Sequence, residues 1–159
     1  MTMVMRWTVV INLIVALFLT IVPLPPDLSE WRPQWVTLSV IFWCLTAPER
    51  IGVFWGFGSG LMLDLFTGGL LGQQALSLAL VAYVTITLHA RVRLFPRWQQ
   101  SFFVWIVLLA ERLLTLWILG ATGQPMPTLS YWLPTLVGLV LWPGLARGLT
   151  WIGRHTGAL

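Results

Sequence analysis

Apolar runs about as long as a membrane-spanning helix follow one another through this chain, with only short polar breaks between them. Of its 159 residues, 58% are hydrophobic and 9% are charged, whereas about a quarter of the residues in a soluble domain carry charge. A spanning helix needs roughly 20 residues, which leaves room for about five or six spans and for no extramembrane domain. The sequence therefore predicts an all-α polytopic membrane protein with a single integral membrane domain over residues 1–159.

Prolines, glycines and charged residues divide the chain into six predicted transmembrane helices. A proline cluster at 23–26 ends the first helix, and the sequence Thr67-Gly-Gly breaks the third. The apolar run behind Arg6 resembles the front of a signal peptide, but no small-residue cleavage site follows it, so we interpret it as an uncleaved helix. The predicted helices cover approximately residues 7–22, 34–47, 51–66, 70–90, 98–119 and 131–152.

The distribution of arginines predicts the orientation of these helices. Six alternating spans place seven arginines on one side and only Arg32 on the other, with Arg112 inside the fifth span. The seven are Arg6, Arg50, Arg91, Arg93, Arg97, Arg147 and Arg154. Because cytoplasmic loops carry an excess of arginine and lysine, this asymmetry predicts that both termini are cytoplasmic.

Two predicted spans carry rows of mostly small residues at every fourth position. In the third span the row consists of Gly52, Gly56 and Gly60. In the first span it consists of Asn12, Ala16 and Thr20. Small residues allow a second helix backbone to approach closely, which is a main route to helix association in lipid. Each row is therefore interpreted either as packing within the protein or as a docking surface for another protein.

Three ionisable residues, Asp64, Glu111 and Arg112, are placed inside the spans, away from the cytoplasmic helix ends. Each is costly at membrane depth unless it is paired or hydrated. The third and fifth spans run in the same direction, so Asp64 and Arg112 can meet at similar depth. We predict an ion pair between these two side chains, with Glu111 facing another helix or a hydrated cavity. Structural support, recognition of a partner or ligand, and a proton or ion relay are the roles open to them.

Catalytic and metal-binding patterns are largely missing from the sequence. His89 and His155 have no carboxylate or thiol at ligand spacing, and Cys44 is the only cysteine, so we expect no metal site and no intrachain disulfide. The sequence has no phosphate-binding loop and no Gly-x-Ser-x-Gly motif. So few charges cannot form the basic face that nucleic-acid binding requires. We therefore expect no catalytic residue, no cofactor and no nucleic-acid partner.

Two groups of residues are expected at the membrane surfaces. At the cytoplasmic side, the cluster of Arg91, Arg93 and Arg97 is expected to hold anionic lipid, with a cytoplasmic protein as the alternative. At the outer side, we expect a recognition surface that consists of Arg32, Pro33 and Trp35. Because the loops are short, recognition has to use this surface, the helix faces and the charges at membrane depth.

A series of short motifs, rather than composition, makes the chain similar to a known family. Its early members are Arg32-Pro-Gln-Trp-Val36, the turn Ala47-Pro-Glu-Arg50 and the row from Gly52 to Asp64. The later members are Asp64-Leu65-x-x-Gly68-x-x-Leu71-Gly72-x-x-Ala75-Leu76, Ala82-Tyr83, Phe95-Pro-Arg-Trp-Gln-Gln100 and Leu141-Trp142-Pro143. Over nearly the entire chain these motifs resemble the MreD family of rod shape-determining proteins. Arg112 departs from the pattern of that family.

The resemblance implies a noncatalytic inner-membrane component of the bacterial elongation complex, which inserts lateral-wall peptidoglycan. It implies association with the bitopic periplasmic protein MreC, and joint action with the actin-like MreB, the glycosyltransferase RodA and a monofunctional transpeptidase. It also implies a fold similar to the substrate-binding components of energy-coupling-factor vitamin transporters. Two functions stay open: an assembly scaffold that holds a partner's membrane anchor, and a binding or transport component that receives a lipid or small molecule between its helices.

Overall fold

The computed structural model describes residues 3–158, and over these residues it contains helices and no strand. The helices are α1 (Met3–Ile21), the short α2 (Pro26–Ser29), α3 (Trp35–Thr46), α4 (Val53–Thr67), α5 (Gln73–Val92), α6 (Arg97–Ala121) and α7 (Leu133–His155). A 3-10 turn at Leu129–Trp132 leads into α7.

Several observed helix ends differ from the expected ones, and most of these differences affect charged residues. α1 begins at Met3 rather than at residue 7, so Arg6 lies within the helix. α5 begins at Gln73 rather than at residue 70, because Gly68 and Gly72 adopt left-handed backbone angles (φ 66° and 96°) and separate it from α4. α5 also continues to Val92, which places Arg91 in its last turn. α6 begins at Arg97 rather than at residue 98, and α7 continues to His155 rather than to residue 152, which places Arg154 within it.

Four helices are long and apolar enough to cross a membrane: α1, α5, α6, and α7 together with its 3-10 turn. The chain is therefore a membrane protein. α3 and α4 are apolar but have only 12 and 15 residues. At 1.5 Å per residue these helices are about 18 and 22 Å long, less than the roughly 30 Å of a bilayer's hydrocarbon core.

α3 is the central helix of the bundle. Every residue from Val36 to Leu45 is buried, and α3 contacts α1, α4, α5, α6 and α7. The indole nitrogen Nε1 of Trp43 donates to Oδ1 of Asn12 at 3.0 Å, which gives its buried N–H the partner that it needs. Because protein rather than lipid covers α3, this helix can be shorter than the hydrocarbon core is thick.

α4 and α5 form a closely packed helical hairpin. A Cβ atom at Gly56 would lie 2.5 Å from the carbonyl oxygen of Leu78, and one at Gly60 would lie 2.4 Å from that of Gln74. Such distances are shorter than any normal van der Waals contact, so these two positions require glycine. At Gly52 and Gly58, by contrast, a Cβ would meet no described atom within 4 Å.

Candidate functional site

A cavity of about 520 Å³ lies among the helix ends at one end of the bundle. α1 and all the helices from α3 to α7 contribute residues to its lining. Its charged side chains are Glu30, Arg32, Glu111 and Arg112. We refer to this space as the Glu111 cavity.

Glu111 is the most deeply buried charged residue of the cavity, with 4% of its surface exposed. Nε2 of Gln34, just before α3, donates a hydrogen bond to the Glu111 carboxylate. The hydroxyl of Thr115, one turn further along α6, donates to the Glu111 backbone carbonyl at 3.1 Å. A buried carboxyl group is costly without such a partner. Glu111 therefore both faces a neighbouring helix and lines a cavity.

Arg112 follows Glu111 on α6 but has a different partner. Its guanidinium carbon lies 4.4 Å from the centre of the Tyr131 ring, a cation–π contact. The Tyr131 hydroxyl donates to the Arg112 backbone carbonyl at 3.2 Å. Contacts of this kind contribute about 0.5 to 2 kcal/mol. They fix the 3-10 turn before α7 against α6.

Asp64 has backbone rather than side-chain partners, so the predicted Asp64–Arg112 ion pair is wrong. The Asp64 carboxylate is 2% exposed and accepts the backbone N–H groups of Gly72 at 2.9 Å, Gln74 at 3.0 Å and Ala75 at 3.3 Å. These N–H groups lie at the start of α5, where they have no partner within the helix and carry a partial positive charge. Asp64 of α4 thus caps the N-terminus of α5.

Arg32, Pro33 and Trp35, predicted as a recognition surface, line the Glu111 cavity. The Arg32 guanidinium donates to the backbone carbonyls of Thr20 and Val22 at the C-terminal end of α1. A cation is favourable at that end of a helix dipole. Arg32 therefore ties the loop before α3 to α1, at the edge of the cavity.

Three buried polar atoms around the cavity have no hydrogen-bond partner among the described residues: Oε1 of Gln34, Nε of Arg112 and Nε of Arg32. Buried polar groups are satisfied by protein, water or a ligand in nearly all proteins. The first atom accepts a hydrogen bond and the other two donate. The side chains that carry these atoms line the cavity, and its charged and polar lining suits a small polar molecule.

The row of residues on α1 is directed towards α3. Asn12 binds the indole of Trp43, and Ala16 is 3% exposed. The Thr20 hydroxyl donates to the Ala16 carbonyl at 2.8 Å, and Thr20 lines the Glu111 cavity. Together with Gly56 and Gly60, these residues take part in packing inside the protein.

An apolar groove of about 440 Å³ runs between α1 and α4 on the outside of the bundle. Its lining residues are Val10, Leu13, Ile14, Leu17, Phe54, Trp55, Gly58, Ser59 and Met62. We refer to it as the α1–α4 groove. At Gly58 the backbone of α4 is exposed in the groove, without a side chain to cover it. The spacing of small residues did not predict this position, because Gly58 is not part of the row at every fourth residue.

Two of the three arginines predicted at the cytoplasmic interface line cavities, and the third lies outside these cavities. All three are exposed; Arg93 and Arg97 line cavities at the end of the bundle opposite to Glu111, whereas Arg91 lines neither of them. The same cavities contain Arg50 and Arg154, which are distant in sequence. Among residues 3–158, no group of three or more His, Cys, Asp or Glu side chains could hold a metal ion.

Comparison with known proteins gives one family. A family model described as rod shape-determining protein MreD matches residues 1–149, from α1 into α7. The rod shape-determining protein MreD of Haemophilus influenzae is 29% identical over 112 residues, which cover 70% of this chain and 69% of that protein. No solved structure matches the chain.

Proposed function

The chain belongs to the MreD family of rod shape-determining proteins, and from this we propose that it is a noncatalytic scaffold of the bacterial cell-elongation complex. Family membership supports a rod-shape-determining role within the shape-determining complex. In the proposal, the protein binds the membrane anchor of an MreC-type partner and helps to position MreB, RodA and a transpeptidase. The family match over residues 1–149 is the observation that carries it.

We propose an inner-membrane location with six spans and both termini in the cytoplasm. The arginine asymmetry supports this orientation. Met5 and Ala158 line the same cavity, so both ends of the described chain lie at one end of the bundle, as an even number of spans requires. The protein neighbours that surround α3 support its inclusion as a span despite its length.

The α1–α4 groove is the proposed site for the partner's membrane anchor. Gly56 and Gly60 already contact α5, so neither can receive a second helix. A Cβ atom at Gly58 would have no described atom within 4 Å, and apolar residues of α1 and α4 surround this position. A single apolar helix fits this chemistry, because close packing on a small residue drives helix association in lipid.

Gly58→Leu should separate partner binding from folding. The leucine would fill the α1–α4 groove, so co-purification of the MreC-type partner in mild detergent should fall about tenfold, equivalent to about 1.4 kcal/mol. The variant should itself stay abundant and monodisperse, because no described atom of the protein occupies the space. Gly144→Leu is the matched control, since Gly144 lies on α7 and is equally open.

Loss of rod shape in cells that express only Gly58→Leu would accompany loss of the partner. Normal partner recovery with this variant would exclude the groove as the anchor site. If the wild-type protein purifies without any bitopic partner, the proposed scaffold function is wrong.

A second candidate function, a ligand-holding component, is favoured by the Glu111 cavity. The cavity lies between the helices, and its lining includes the charged or polar side chains of Glu111, Arg112 and Gln34. A ligand there would contact α3 and α6 together. The two candidates are compatible, since the groove and the cavity have no lining residue in common.

Gln74→Leu should weaken ligand retention if the cavity is a binding site. Gln74 lines the cavity, whereas its neighbour Gln73 does not, so Gln73→Leu is the matched control. Native mass spectrometry of the mildly purified protein should detect a bound polar molecule with wild type and control. The Gln74→Leu variant should retain about tenfold less, for a loss of about 1.4 kcal/mol. A bare wild-type protein would leave the scaffold as the sole function.

A further inference from the structure

Three neighbouring cavities at the end of the bundle opposite to Glu111 share arginine residues. Their volumes are about 620, 580 and 220 Å³. Arg154 lines all three, Arg93 lines the first two, and Arg97 lines the last two. Arg50 lines the first and Arg147 the third. We refer to these five residues and the space between them as the arginine basin.

The basin has a large excess of positive charge. In the described residues that line it, Glu49 is the one carboxylate against five guanidinium groups. The remaining polar lining includes His89, Thr46, Gln100 and Thr150. Five cations that converge among helix ends repel one another, and the resulting field concentrates anions.

Helix dipoles account for only part of this arrangement. Arg154 lies in the last turn of α7, where a cation is favourable. Arg97, however, is the first residue of α6, the end at which a helix dipole disfavours a cation. The N-cap residue of α6, Pro96, has no side chain that can accept from the first N–H groups, so these groups add further positive potential. An anion at this point would satisfy both the arginines and the helix start.

Exposed apolar side chains border the basin on the side of α6 and α7. Trp151 lines the third cavity and is 62% exposed, and Trp98, in the first turn of α6, is 74% exposed. Indole rings at such positions prefer the membrane interface. The basin is therefore continuous with a surface that faces lipid, which favours a lipid over a free phosphate as the source of the anion.

We propose that the arginine basin is a discrete binding site for the phosphate headgroup of an anionic phospholipid, whose acyl chains lie along the exposed surface of α6 and α7. This site differs from a general attraction of basic loops to the membrane, because it includes Arg50, Arg147 and Arg154 and leaves out Arg91. Basic pockets between transmembrane helices are suited to such headgroups.

Two double variants with the same loss of charge test the proposal. Arg93→Gln with Arg154→Gln removes the arginines that the cavities share. Arg6→Gln with Arg91→Gln removes two arginines that are exposed, as Arg93 and Arg154 are, but line none of the three cavities. Each protein is purified in mild detergent, delipidated and titrated with cardiolipin, phosphatidylglycerol or phosphatidylcholine. Native mass spectrometry then counts the bound lipids.

Wild type and the Arg6/Arg91 variant should bind the two anionic lipids in preference to phosphatidylcholine. The Arg93/Arg154 variant should bind the anionic lipids about 30-fold more weakly, because each arginine contributes about 1 kcal/mol next to an anionic headgroup. Equal loss in the two double variants would overturn the discrete site. Inorganic pyrophosphate that displaces the lipid and binds as tightly would overturn the lipid source.

Single variants keep the test decisive if the Arg93/Arg154 protein does not remain monodisperse. Arg93→Gln and Arg91→Gln alter arginines that are two residues apart at the same helix end. The first should lose about fivefold in affinity for the anionic lipids, the equivalent of about 1 kcal/mol, and the second should lose none. Equal affinities of the two single variants would overturn the proposal.

Discussion

Gly60→Leu should prevent the protein from accumulating in a folded state. A Cβ atom at Gly60 would lie 2.4 Å from the carbonyl oxygen of Gln74 and 2.5 Å from Cα of Ala75, and these backbone atoms cannot move aside as a side chain can. Even Gly60→Ala should cost about 3 kcal/mol, at the upper end for overpacked sites. Abundance in the membrane and the melting temperature in detergent measure the effect.

Gly58→Leu is the control for this experiment, because it adds the same side chain to the same helix. Gly58 is open on the outside of α4, so its variant should melt close to wild type. Comparable losses at Gly58 and Gly60 would show that α4 fails to tolerate leucine for reasons other than its approach to α5. Comparable tolerance would show that α4 and α5 are further apart than the structure places them.

Asp64→Leu should destabilise the protein by about 3 kcal/mol, since each buried N–H that loses its acceptor costs about 1 to 3 kcal/mol. Three N–H groups at the start of α5 depend on this carboxylate. Asp64→Asn keeps one acceptor oxygen and should cost about half as much, in the range of an ordinary N-cap replacement. Thermal unfolding in detergent provides the measurement, with abundance in the membrane as a second readout.

A double-mutant cycle with Arg112→Leu distinguishes capping from ion pairing. The Asp64 carboxylate binds backbone and the Arg112 guanidinium lies over Tyr131, so the two losses should add within about 0.5 kcal/mol. A coupling of more than about 1 kcal/mol, in which the double variant is more stable than the sum of the two single losses predicts, would instead support the Asp64–Arg112 ion pair. The reason is that a buried charge left without its partner is costly. Arg112→Leu with Tyr131→Leu should show coupling instead.

The sequence was sufficient to predict an all-helical membrane protein. Long apolar runs with few charges would be insoluble in water, and in lipid such runs satisfy their backbone hydrogen bonds as helices. The close approach at Gly56 and Gly60 could also be anticipated from their spacing, though not which helix they meet. Spacing along one helix defines a face of that helix, whereas the identity of the facing helix depends on loop geometry. Here the loop between α4 and α5 is short, and the facing helix is the next one in the chain.

The partner of Asp64 is missed when only side chains are considered as candidates. Eight residues after Asp64 comes Gly72, whose left-handed backbone starts α5. An acid that follows a small-residue row and precedes a glycine-rich turn is a signal for a cap between consecutive helices, and it could have been recognised. The contact between Glu111 and Gln34 carries no such signal, because the two residues are 77 positions apart.

The arginine basin shows a different limit of prediction from sequence. Arg91, Arg93 and Arg97 form a cluster in the sequence, but a helix turns about 100° per residue, so neighbours in sequence are directed to different sides. Arg91 and Arg93 separate for this reason. Arg50 and Arg154 join Arg93 only because α4 begins and α7 ends beside the end of α5.

The central position of α3 affects how the protein is made. Of the five helices that contact α3, only α1 precedes it in the chain, and the other four follow later. Until α7 has been translated, Phe42 of α3 lacks Trp142, whose ring centre lies 6.5 Å away in the finished bundle. The most deeply buried helix is thus made before most of the helices that bury it. A nascent chain must hold its innermost helix in lipid, or against an insertion factor, until the last helix arrives.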